Sequence, residues 1–100
     1  MIKIDFNKQF AVLPGDDADH SKDDPINKIL AFILSRVEET RDPVKLWHWA
    51  MKLANDGILE LDKSDTELLK SEVTKNKHLI VAGKAQILEI INKAVAEQEA

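Results

Sequence analysis

Five aspartates crowd the segment from Asp16 to Asp24, DDADHSKDD. Asp17, Asp19 and Ser21 alternate there as the oxygen ligands of a calcium loop do. The rest of that pattern fails. Lys22 stands where such a loop needs glycine, and Lys28 where it needs a bidentate glutamate. The segment reads as a solvated acidic loop that sets negative charge ahead of a helix start, where the helix dipole favours it. His20, His48 and His78 have no metal-ligand spacing. There is no cysteine, and serines and threonines are scattered. No nucleophile with a base and an orienting group can be assembled from them. The expectation is a non-enzyme with no metal and no cofactor.

Trp47, His48 and Trp49 resemble a stacking box, but on a helix the two indoles point ~200° apart. Trp47 shares an arc with Val44, Met51 and Ala54 and is expected in the core. Trp49 sits at the edge of the apolar arc near Leu53. It is either a core-edge residue or a partner contact, since tryptophan anchors many interfaces. Lys84 lies inside the apolar half of the last helix. Its stem can snorkel along the core edge, or its ammonium can pair across an interface, with Glu72 as a possible partner. Gly83 faces inward, at a cost of about 1 kcal/mol relative to alanine. A close crossing would explain that cost.

These residues must be carried by a few elements. Ile2, Ile4 and Phe6 alternate with Lys3 and Asp5, the pattern of a half-buried strand. Phe10, Val12 and Leu13 offer a second strand, with Asn7-Lys8-Gln9 as the turn. Residues 1–14 are thus expected to form a β-hairpin, 15–24 the acidic loop and 25–97 a helical body, all in one domain. Asp24-Pro25 and Asp42-Pro43 are helix starts, each an acceptor followed by proline at the first helical position. The first helix is expected over 25–39 and the second over 43–55, closed by Gly57 in a left-handed cap. Ile58 to Leu61 reads as an extended link. Asp62 or Ser64 caps the third helix, with Ser64 and Glu67 fitting a capping box. Asn76 caps the fourth, running from His78 to Glu97. The fold class is mainly α, a four-helix domain with a short N-terminal β-hairpin. Ile33, Trp47, Met51, Leu69, Ile80, Ile87 and Ile91 are the expected core.

The fourth helix carries an apolar arc of ~180°, wider than the ~100° that one core contact needs. It is either a central post or a face shared with a second copy of the chain. In a dimer Val81, Leu88 and Val95 would meet their copies and Lys84 would reach an acidic group at the rim. Together with Trp49 these are the candidate partner contacts.

Composition bounds the rest. The net charge of −4 is carried entirely by the segment 16–24, leaving 13 basic and 13 acidic residues elsewhere. No clustered basic surface for nucleic acid stands out, although Lys70, Lys75, Lys77 and Lys84 gather loosely near the junction of the last two helices. No apolar run reaches the ~20 residues of a membrane span. MIKIDFNKQF has neither the apolar core nor the cleavage site of a signal peptide.

Lys45-Leu46-Trp47 with Ala50 and Leu53, then Leu59-Glu60-Leu61, Asp65 to Lys70, His78 to Ala85 and Leu88-Glu89 carry a resemblance. Over about Pro43 to Ile91 the chain resembles a group of small proteins encoded by tailed bacteriophages and prophages. The resemblance rests on hydrophobic pattern and implies no catalytic residue. It implies a protein acting by contact, in virion assembly or host modulation, in the bacterial cytoplasm or associated with the virion. The alternative is a regulatory module that binds nucleic acid or a regulator protein.

Overall fold

The computed structural model describes residues 1–18 and 23–99. Its elements are β1 (Ile2–Asp5), α1 (Ile26–Ser35), α2 (Pro43–Asn55), β2 (Ile58–Leu61), α3 (Lys63–Lys75) and α4 (Val81–Glu99). The fold is mainly α, with four helices and one two-stranded antiparallel sheet.

The partner of β1 is not the segment 10–13. Ile2 pairs with Leu61 and Ile4 with Leu59, so the extended link expected after α2 is the second strand. Hydrophobic alternation on both strands explains the register. Ile2, Ile4, Leu59 and Leu61 all turn inward and are buried, while Lys3 and Glu60 oppose each other outside. The segment 10–13 is held another way. Gln86 on α4 accepts from the Ala11 amide at 2.7 Å and donates to its carbonyl at 3.0 Å. Gln98 does the same to Lys3, at 2.8 and 2.6 Å. Each carboxamide thus satisfies both backbone groups of one residue, Gln98 on the edge of β1 and Gln86 on the segment that follows it.

Gly57 locks the sheet to α2. Its φ of +74° supplies the left-handed turn that the sequence predicts there, and its carbonyl accepts from Phe6 N at 2.8 Å. Asn7 covers it closely. A Cβ on Gly57 would lie 2.6 Å from the Asn7 Cγ. The Asn7 side chain donates to the Asp56 carbonyl at 2.7 Å and to Asp5 Oδ1 at 2.9 Å, and Asp5 also accepts from Asn7 N.

The Asn7 backbone amide, and then its side chain, hold the Asp5 carboxyl below its ordinary pKa. Lys52, and then the Ile58 amide, do the same for Asp56. Both groups are depressed on folding. Their stabilisation is complete above the unfolded value of ~3.9 and is lost as pH falls through the lower folded value. Stability should therefore fall with acidification below about pH 4. Asp5→Asn should flatten that fall in urea titrations run at pH 3 and pH 7. An unchanged slope would remove Asp5 from the acid response.

Helix boundaries follow their caps. α2 spans the expected residues, with Pro43 in its first turn. α1 ends at Ser35 rather than at Glu39. Continuing it would set Glu38 and Glu39 at the negative end of the helix dipole. Its first amide, Ile26 N, bonds the Lys8 carbonyl at 2.7 Å, and no Asp24 cap is used. α3 is capped by Asp62, which accepts from Asp65 N at 2.7 Å. Asn76 accepts from His78 N and Leu79 N and shapes a turn, so α4 begins only at Val81.

The core is built from β1, β2 and one face of each helix. Ile33, Leu69, Ile87 and Ile91 are in it, as expected. Trp47, Met51 and Ile80 are not; each is more than half exposed. Apolar residues cover about two thirds of α2, far more than one contact can bury. Leu46, Trp49, Ala50 and Leu53 take the core, with Trp49 only 8% exposed, and the stripe of Val44, Trp47 and Met51 is left outside.

α4 packs on β1 and α3 through Ile87 and Ile91, while Leu88, Ile90 and Val95 of its broad arc are half-buried and Val81 is exposed. Gly83 does not mark a forced crossing. A Cβ there would make ordinary contacts, 3.5 Å from Leu79 and 3.8 Å from Phe10. Gly83→Ala should raise stability by up to about 1 kcal/mol in chemical denaturation. A loss of that size would contradict the spacing.

Candidate functional site

Two apolar surfaces remain open. The first lies between α1 and α2. Asn27 Nδ2 donates to the Leu53 carbonyl at 3.0 Å and fixes the two helices side by side. Ala31 and Ala50, both small and buried, form the floor between them. Phe32 rises from α1 on one side, and Trp47 and Met51 from α2 on the other, around a groove of about 300 Å³. Val44 extends the stripe one turn along α2. All four large side chains are more than half exposed. The Arg36 guanidinium sits 4.4 Å from the Phe32 ring centroid, a cation–π contact beside the groove.

The second surface is a cleft of about 1120 Å³ between the segment 9–16 and the start of α4. Phe10, Leu13, Ile29, Leu79 and Ile80 line it, with His78 and Asp16 among its polar groups. The paired hydrogen bonds of Gln86 to Ala11 hold its outer wall. Val12, Leu13, Ile80 and Val81 are exposed around it.

The expected partner contacts scatter. Trp49 is packed in the core, and Trp47 takes its place on the surface. The two indoles point apart, as helical spacing requires; Trp49 takes the core-edge reading and not the partner-contact one, and Trp47 leaves the core expected for it. Leu88 and Val95 pack against the core from the flank of α4 and are half-buried. Val81 is 82% exposed at the rim of the second cleft. Lys84 donates to the Thr74 carbonyl at 3.0 Å and does not reach Glu72. Glu72 is 3% exposed and pairs with Lys75 at 3.0 Å. Its second oxygen is buried without a partner among the described residues, beside a small cleft shared with Thr40, Arg41 and Ser71.

Three of the four lysines near the α3–α4 junction, Lys70, Lys75 and Lys84, have local partners. Lys70 meets Glu67 at 3.8 Å and Lys75 meets Glu72, while Lys84 is spent on a carbonyl. Asp19 and Ser21 of the calcium-like pattern lie outside the described residues. Among the described residues no three His, Asp or Glu groups are placed to hold a metal ion, and no helix is long and apolar enough to cross a membrane.

Met51, expected in the core, lies instead at the groove. The groove's signal was present in the excess apolar width of α1 and α2, which sequence periodicity detects but cannot divide between core and surface. No protein-family model matches the chain, and no curated protein or solved structure matches it either.

Proposed function

We propose that this chain is a non-enzymatic protein-binding domain whose contact surface is the α1–α2 face. One observation carries the reading. Phe32, Val44, Trp47 and Met51 form a continuous exposed apolar face around a preformed groove. Single exposed apolar residues are ordinary on soluble proteins, but a clustered, rimmed patch is characteristic of interaction sites. Aromatic side chains at its centre are the residue types that dominate binding energy. The resemblance of residues 43–91 to small bacteriophage proteins adds a setting. It supports a virion component or a bacterial host protein as the partner, met in the host cytoplasm.

Photo-crosslinking tests the reading. A benzophenone amino acid is placed at position 47 and, as a control, at Lys93, exposed on α4. Each version is expressed in the cells that make the chain. A discrete protein adduct is expected from position 47 and not from position 93. Equal, diffuse labelling at both positions would refute the α1–α2 face as a binding surface.

A further inference from the structure

We propose that the α1–α2 groove receives an amphipathic helix bearing carboxylates about two turns apart, an acidic helical segment of another protein. This rests on the protein-binding reading above and adds the chemistry of the partner.

Shape comes first. The groove runs between two helices fixed side by side, with an alanine floor and aromatic and methionine walls. Small residues below large ones leave a trough that a third helix can enter, its apolar side chains spaced i and i+4 against Phe32 and Met51. A flat surface would meet only the tops of the walls.

Charge then selects the partner. Among the described residues no carboxylate lines the groove. Lys28 stands on its α1 wall, and Arg36 lies over Phe32, eight residues further along the chain. Neither is ion-paired among the described residues. On a chain of net charge −4 this face is a local reversal of sign. At 1.5 Å per residue the backbone positions of Lys28 and Arg36 are ~12 Å apart, Arg36 being the residue that caps the C-terminal end of α1. Two carboxylates at that spacing on an incoming helix would meet both, with apolar side chains between them.

The chain itself supplies no such partner. A second copy docked by the same face would bring its own Lys28 and Arg36 into the contact, because a two-fold interface places like patches together. The acidic segment 16–24 has the charge but no large apolar side chain to fill the groove.

The probe is a synthetic amphipathic helix of about 18 residues, five turns. It carries leucines at i, i+4 and i+7 and glutamates two turns apart. Two further peptides replace either the glutamates with lysine or the leucines with serine. Binding is followed by amide chemical shifts and calorimetry. The acidic peptide is expected to saturate, with shifts centred on Ala31 and Ala50. It should bind about tenfold more tightly than the lysine peptide. The double substitution Lys28→Glu with Arg36→Glu, both exposed, should reverse that preference while the protein stays folded, as amide chemical shifts away from α1 check. The serine peptide should not bind.

Equal affinity for the acidic and lysine peptides overturns the acidic partner while leaving the protein-binding reading intact. So do shifts centred on the Ile80–Val81 cleft. Binding to phosphatidylserine vesicles in preference to the peptide, or self-association that saturates the groove, replaces the partner with a membrane or a second copy and overturns the proposal. Failure of all three peptides overturns it as well. The crosslink at position 47 then decides separately whether the face binds protein at all.

Discussion

Phe6→Ala should destabilise the protein by about 3–5 kcal/mol, while Phe32→Ala should change stability by no more than about 0.5 kcal/mol. The two phenylalanines differ in place rather than chemistry. Phe6 is fully buried, and its amide bonds the Gly57 carbonyl just where β1 meets the turn before β2. Removing its ring opens a cavity under the sheet, and the Asp5–Asn7–Asp56 hydrogen bonds around it limit collapse. Phe32 stands on the surface of α1, so its removal costs little folding energy. Urea denaturation of both variants checks the pair. A loss at Phe32 comparable with that at Phe6 would place Phe32 in the core and close the groove.

Ile87→Ala should cost about 2–5 kcal/mol. Ile87 is fully buried at the middle of the core-facing side of α4, with Ile91 one turn on, where α4 meets β1 and α3. A loss below about 0.5 kcal/mol, the range of surface positions, would mean that α4 is not the post of the fold. The same experiment bears on self-association. If α4 were stabilised mainly by a second copy, the midpoint for wild type would rise with protein concentration. It is expected to stay constant, because Ile87 and Ile91 of α4 are already buried within one copy, where α4 meets β1 and α3.

Much of this fold is legible in the sequence where a local signal decides the outcome. Pro43 starts α2, Gly57 takes the left-handed turn after it, and Asp62 caps α3. Ile2, Ile4 and Phe6 alternate and are buried. The failures are non-local. Nothing between residues 7 and 13 distinguishes a hairpin from a strand that waits for Ile58–Leu61, more than fifty residues on. The deciding signal is the matching alternation of Leu59 and Leu61 directly after the Gly57 turn. Gln86 and Gln98 leave no trace in periodicity, since their role is to satisfy distant backbone groups. The tryptophans show the limit most clearly. On a helix apolar over most of its circumference, the face with greatest apolar breadth need not be the buried one. Leu46 and Leu53 place Trp49 inside, the core-edge reading of its two, and turn Trp47 out, which inverts the expectation for Trp47 and makes the candidate site visible only in three dimensions.

That inversion can be measured directly with two single-tryptophan proteins, Trp47→Phe and Trp49→Phe. Acrylamide quenches an exposed indole and spares a buried one. With Trp49 replaced, the remaining Trp47 should be red-shifted and strongly quenched. With Trp47 replaced, the remaining Trp49 should be blue-shifted and protected until the protein unfolds. The opposite result, a protected Trp47 and a quenched Trp49, would put the exposed apolar stripe inside the protein and leave no α1–α2 groove for a partner to enter.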